Sequence, residues 1–135
     1  MSIIKGYEKL LLRPEVLARE TSYITVKTVV ETEAKGIMIE LYSWPTKAIV
    51  DKFYDWLVKI HSKGESLRPW VGVHNLAGNP DGILVSGYYI APGNMVIVWR
   101  QTGTVPDCWR QEVKGSVKFY KPGTYTIRLV AGVEW

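Results

Sequence analysis

The sequence predicts a mainly β domain, with α+β as the alternative class, on three observations. Apolar and polar side chains alternate with a period of two over most of the chain from Tyr23 onward. Turn-forming clusters of Gly, Pro, Asn and Asp recur every eight to twelve residues. One segment, from Pro45 to Lys63, instead carries apolar residues at helical spacing. The expected form is a β-sandwich or small barrel of about seven antiparallel strands with one amphipathic α-helix at about 45–63. At 135 residues, without internal repeat, linker or low-complexity stretch, the chain reads as a single domain, 1–135.

The first twenty residues read either as a short helix opening at Pro14 or as an extended arm. Tyr23 to Glu31 alternates strictly, with Ile24, Val26, Thr28 and Val30 on one side. Gly36 to Tyr42 follows with Ile37, Ile39 and Leu41 on one side. The short link Thr32-Glu33-Ala34-Lys35 suggests that these two strands form an antiparallel hairpin. Ser43 or Trp44 then reads as a helix cap, Pro45 as a first-turn residue, and Ile49, Phe53, Trp56, Leu57 and Ile60 as a buried helical stripe closed by Gly64. Opposite charges four apart, such as Asp55 and Lys59, fit the exposed side of that helix. Five further strand-like runs follow. Trp70 to Leu76 and Ile83 to Ile90 are joined by Gly78-Asn79-Pro80-Asp81-Gly82. Ala91-Pro92-Gly93-Asn94 leads into the run ending at Arg100. The cleanest alternation sets Trp109, Gln111, Val113, Gly115, Val117 and Phe119 against Arg110, Glu112, Lys114, Ser116, Lys118 and Tyr120. A turn at Lys121-Pro122-Gly123 precedes Tyr125 to Val130.

The segment Lys121-Pro122-Gly123-Thr124-Tyr125-Thr126-Ile127-Arg128-Leu129-Val130 resembles the corner and following strand of immunoglobulin-like sandwiches. The resemblance covers residues 121–130 only. It implies that the Tyr125 hydroxyl turns back to the chain just upstream, and it implies an architecture without an activity. A helix as long as Pro45 to Lys63 departs from that family. The few residues after Val130 leave two outcomes: the last strand runs on to the terminus, or a sheet edge stays open.

Composition narrows the function classes. Cys108 is the only cysteine, which excludes an intrachain disulfide and fits a reducing compartment. His61 and His74 fall in no ligand-spaced motif, so no metal and no cofactor is expected. No nucleophile elbow, phosphate loop or zinc motif is present, Cys108 has no His near it in sequence, and the chain reads as not an enzyme. The N-terminal residues do not read as a signal peptide and no apolar run is long enough to span a bilayer, so a cytoplasmic protein, or one assembled into a particle from the cytoplasm, is expected. Three Asn, two Gln and one Cys are few for this length, a scarcity shared with proteins of hyperthermophiles.

Two sets of residues qualify as candidate binding surface. Net charge is +4, and Arg110, Lys114, Lys118, Lys121 and Arg128 are expected to form a basic stripe on the last hairpin. Its alternative reading is a solvated sheet face kept from edge association by its cations. Among six Trp and eight Tyr, the strand parity and the helical stripe assign Trp56, Trp99 and Trp109 to the core. Trp44, Trp70, Tyr88, Tyr89 and Trp135 remain as possible aromatic contacts. Three roles follow. The leading one is a non-enzymatic structural or interaction protein, of the kind a virion-associated or accessory protein from a hyperthermophilic archaeal system would be, with a protein partner or self-association through an open edge. The second is a carbohydrate- or small-ligand-binding module using exposed Trp or Tyr. The third is a nucleic-acid-binding accessory protein using the basic stripe.

Overall fold

A computed structural model of the chain describes residues 23–64 and 68–134. The expectations for residues 1–20 and for Trp135 lie outside the described residues. The strands, in order, are β1 (Tyr23–Thr32), β2 (Ile37–Ser43), β3 (Lys47–Ile49), β4 (Phe53–Ser62), β5 (Arg68–Asn75), β6 (Ile83–Val85), β7 (Tyr88–Ile90), β8 (Met95–Arg100), β9 (Arg110–Phe119) and β10 (Gly123–Glu134). They form two five-stranded sheets, ordered β3-β1-β10-β5-β8 and β2-β4-β9-β6-β7. One core joins them. Ile24, Val73, Tyr125, Ile127 and Leu129 from the first sheet belong to the same buried cluster as Trp56, Val58, Ile60, Ile83, Val117 and Phe119 from the second. This is the two-layer arrangement of a β-sandwich, in which alternate residues of every strand meet those of the facing sheet.

The mainly β expectation holds, and three of its details are corrected. The helix at about 45–63 is absent: the segment folds as β3, a turn and β4. Tyr54, Trp56, Val58, Ile60 and Ser62 point inward at a spacing of two, while Phe53, Asp55, Leu57, Lys59 and His61 point outward. The apparent helical stripe mixes the two faces. The charges four apart were ambiguous from the start, because an even spacing keeps Asp55, Lys59 and Lys63 on one side of a strand as well as of a helix. The local content of Phe, Tyr, Trp, Val and Ile favours the pleated form. Asp51, at φ 64°, makes the break between the two strands.

The expected hairpin of β1 with β2 does not form. Around Gly36, at φ 85°, the chain crosses to the other sheet, where β2 pairs with β4. β1 pairs with β3 on one side and, in parallel, with β10 on the other. Ten strands among the described residues therefore replace about seven, and not all pairs are antiparallel. One source of the undercount is the run Ile83 to Ile90, which is two three-residue strands joined by Ser86-Gly87, both in the left-handed region. Of the two outcomes left for the last strand, the first is the one found. β10 continues to Glu134 between β1 and β5, so the last strand is interior and offers no open edge.

The corner at Lys121 to Tyr125 has the geometry that the resemblance implies: the Tyr125 hydroxyl donates to the Lys121 carbonyl at 2.8 Å. Tyr125 is fully buried, with its ring 5.0 Å from Phe119 at an edge-on angle. Burial, reinforced by the negative charge of Asp81, pushes its phenol up to about 12. In the unfolded chain the same group titrates near 10. Between these values the unfolded state loses its proton first, so it gains relative to the folded state as pH rises. Stability is expected to be unaffected by this group below about pH 10 and to fall by on the order of 2 kcal/mol toward pH 12. Urea midpoints across that range check it, and Tyr125→Phe should flatten the decline.

Candidate interaction surface

The free edges of the two sheets are β3, β8, β2 and β7, taken among the described residues. They are not equally protected. β3 and β7 are three residues long, too short to template a partner strand. β8 carries a register shift in mid-strand, opposite Val71 and Gly72, and lies alongside β7. β2 is different. It has seven residues, a single charge at Glu40, and no Pro or Lys. Its one irregularity lies between Leu41 and Ser43, so Ile37 to Leu41 stay regular. Met38, Leu41 and Tyr42 are 40%, 37% and 50% exposed, which is high for side chains of their size.

The hydrogen-bond phase of β2 follows from its register. The Lys63 N–H donates to the Gly36 carbonyl at 2.7 Å, and β2 pairs with β4 as Ile37 with Ser62, Met38 with His61 and Glu40 with Lys59. In an antiparallel ladder bonded and non-bonded pairs alternate. Met38 and Glu40 therefore bond to β4. Ile37, Ile39 and Leu41 turn their N–H and C=O groups toward the free edge.

A second feature lies across the outer face of the same sheet. Phe53, Lys118, Leu84 and Tyr89 form one cross-strand row over β4, β9, β6 and β7. Phe53 and Tyr89 are 56% and 57% exposed. The Lys118 ammonium lies 4.8 Å from the Phe53 ring centre and 5.1 Å from that of Tyr120, whose ring is 6.1 Å from Tyr89. The cation thus already occupies space above two of the three rings.

The candidate residues read from sequence separate into four groups. Lys118 and Tyr89 meet in that row, with Lys121 at the turn beyond it, and Arg110 and Lys114 lie farther along the outer side of β9. Arg128 does not join them. β9 and β10 belong to different sheets, so the expected last hairpin and its continuous basic stripe do not exist. Arg128 instead pairs with Glu31 at 2.9 Å and approaches Glu33 at 3.8 Å. Trp44 and Trp70 are buried: Trp44 packs 5.6 Å from Trp56, and the Trp70 ring packs against Gly72 and Gly132. Tyr88 is exposed near β8. Of the Trp residues assigned to the core, Trp56 is fully packed, while Trp99 and Trp109 stack on each other at its margin.

Sequence reading missed Phe53, because it was counted in the helical stripe, and it missed the edge itself, because β2 was paired with β1. It also kept Cys108 apart from any His. In the fold His61, Cys108, Glu40 and Arg110 line one pocket of about 310 Å³ beside β2. Four hydrogen bonds to the buried Ser62, from or to Pro106, Cys108 and Trp109, hold that loop and set Cys108 at φ 62°. His61 faces Glu40 at 3.3 Å, and no thiol-to-imidazole hydrogen bond forms among the described residues. No group of three or more His, Cys, Asp or Glu is placed to hold a metal ion among them. No helix among them is long and apolar enough to cross a membrane.

The fold and this surface define a two-sheet, mainly β domain in which β2 is, among the described residues, a long and weakly protected edge. Comparison of the chain with protein-family models, with curated proteins and with solved structures found no match.

Proposed function

We propose that the chain is a non-enzymatic interaction domain that receives a strand from a protein partner along the free edge of β2. The observation that carries this reading is the run Ile37 to Leu41: regular, apolar, charged only at Glu40, and with three residues whose backbone groups face outward. Such an edge invites pairing unless it is covered. A structural or assembly role, including the virion-associated one the sequence suggested, uses this kind of contact. The Tyr125 corner supports an immunoglobulin-like architecture, which by itself carries no particular activity.

The other two roles have less support. A sugar or base stacking on Phe53 or Tyr120 must displace the Lys118 ammonium from their faces. Nucleic acid meets a basic set that is split between the two sides of the sandwich, with Arg128 neutralised by acidic neighbours.

A synthetic peptide of the β2 sequence, residues 36–43, added to the intact chain tests the edge. It should slow amide hydrogen exchange at Ile37, Ile39 and Leu41. Ile39→Pro should abolish the effect while leaving the fold intact, since the Ile39 N–H bonds nothing on β4 and proline is tolerated at such edge positions. Unchanged exchange at these three amides would end the proposal.

A further inference from the structure

We infer that the cleft around Asp55 is a binding site for a neutral saccharide of one or two rings. Two hollows adjoin there, sharing Ser43 and Asp55 in their walls, with volumes of about 750 and 530 Å³. Both fall in the size range of small-molecule sites. The cleft opens where strand pairing stops on either side of β4 and β9. β2 ends at Ser43, opposite Leu57, and the chain leaves for the other sheet through Trp44 and Pro45. β6 ends at Val85, opposite Val117, and turns away at Ser86-Gly87. The cleft stands apart from the Ile37 to Leu41 edge and from the row of Phe53, Lys118 and Tyr89.

Polar groups without partners collect at this cleft. Trp44 is 7% exposed, and its indole Nε1–H meets no acceptor among the described residues. The Ser86 hydroxyl is likewise buried and unpaired among them. Such groups are rare in folded proteins, and here both lie beside one indole. Trp44 packs 5.6 Å from Trp56, and Ser86 and Trp56 converge over Gly115. The backbone adds to the set. Because the Ser62 N–H donates to the Trp109 carbonyl, Asp55 and Ser116 form a pair without mutual bonds. The Asp55 N–H and C=O therefore face the side that β2 has left. Continuing the register of Ser43 with Leu57 puts Pro45 opposite them, and proline has no N–H to give.

The lining selects the ligand. Asp55 and Glu112 supply carboxylates, Lys47 and Lys114 ammonium groups, and none of these forms an ion pair among the described residues. Equal numbers of the two signs favour a neutral ligand over an anion or a cation. Trp44 needs an acceptor, the carboxylates need donors, and the Ser86 hydroxyl takes either. A hydroxyl group serves as both, and it is no larger than a water molecule. A ring that carries several hydroxyls around a C–H face meets all of these demands at once. Leu57 and Pro45 supply the apolar wall for that face.

Titrating the isotope-labelled chain with maltose, cellobiose and N,N′-diacetylchitobiose reads the site by NMR. At least one sugar should shift the Trp44 indole N–H and the Asp55 amide while the amides of Ile37 to Leu41 stay in place. Sodium phosphate and putrescine, an anion and a cation, should move neither resonance. Asp55→Ala, at an exposed position, should weaken the sugar about tenfold, the worth of one hydrogen bond, at an unchanged urea midpoint. Trp44→Phe keeps a ring in the core, removes the N–H and should weaken the sugar by a similar factor. Silence of both resonances toward all three sugars overturns the site. A shift with phosphate or putrescine and with no sugar overturns the neutral class. Full-strength binding in both variants overturns the placement. The β2 peptide reports on Ile37, Ile39 and Leu41 alone, so the strand-accepting edge stands or falls separately.

Discussion

Trp56→Ala is expected to destabilise the domain by about 3–5 kcal/mol, the usual range for truncating a fully buried aromatic. Trp56 is 2% exposed and stands at the centre of β4, packed against Trp44 on one side. On the other it lies over Gly115 of β9, its cross-strand partner. A β-carbon built at Gly115 would overlap the Ser86 hydroxyl and come within 2.9 Å of the indole, so the glycine leaves room for both side chains. The indole Nε1–H also donates to the Ser116 carbonyl at 3.1 Å, and that acceptor loses the bond in the variant. Losing the ring leaves a cavity that its close-packed neighbours cannot close. Equilibrium unfolding in urea should show a lower midpoint at unchanged slope. A loss below about 1 kcal/mol would mean that the core does not depend on this ring.

The same residue shows why the sequence was legible in some places and not others. In β9, polar residues alternate with apolar ones over a long run, Val113, Val117 and Phe119 are buried as expected, and one face follows from parity alone. In β4 the outer face carries Phe53 and Leu57, so the alternation is broken by apolar residues that are not core. A helix then fits the spacing equally well. The exposed Phe53 is part of the outer row with Lys118, Leu84 and Tyr89, so the residue that obscured the strand is also one that the candidate surface uses. Strand partners were harder still. The link between β1 and β2 is short enough for a hairpin, yet both strands need an apolar inner face. Either sheet meets that need, so alternation alone does not reveal that the chain places them in opposite sheets. The β2 edge is invisible until β2 is known to pair only with β4, because an edge is a property of topology and not of composition.

Asn75→Leu is expected to be the other severe substitution, at about 3 kcal/mol or more, although it keeps size and adds apolar surface. Asn75 is fully buried at the end of β5. Its Nδ2 donates to the Asp81 carbonyl at 3.0 Å and to the Ile90 carbonyl at 2.9 Å. Those two carbonyls stand at either end of the β6–β7 segment, so one side chain in the first sheet holds both ends of a hairpin that belongs to the second. Its Oδ1 accepts from the Asn79 amide, which also donates to the Thr126 carbonyl and, through its oxygen, accepts the Thr126 N–H. Leucine leaves the Asp81 and Ile90 carbonyls without this donor, while the Asn79 amide keeps only Thr126, and an orphaned buried group costs about 1–3 kcal/mol each. The consequence reaches the surface, since Tyr89 sits in the released hairpin. Amide exchange in the variant should therefore accelerate first across Ile83 to Ile90, while β4 and β9 keep their protection near His61 and Arg110, where they pair away from the hairpin. Uniform acceleration over both sheets would show instead that Asn75 supports the whole core and not the hairpin in particular.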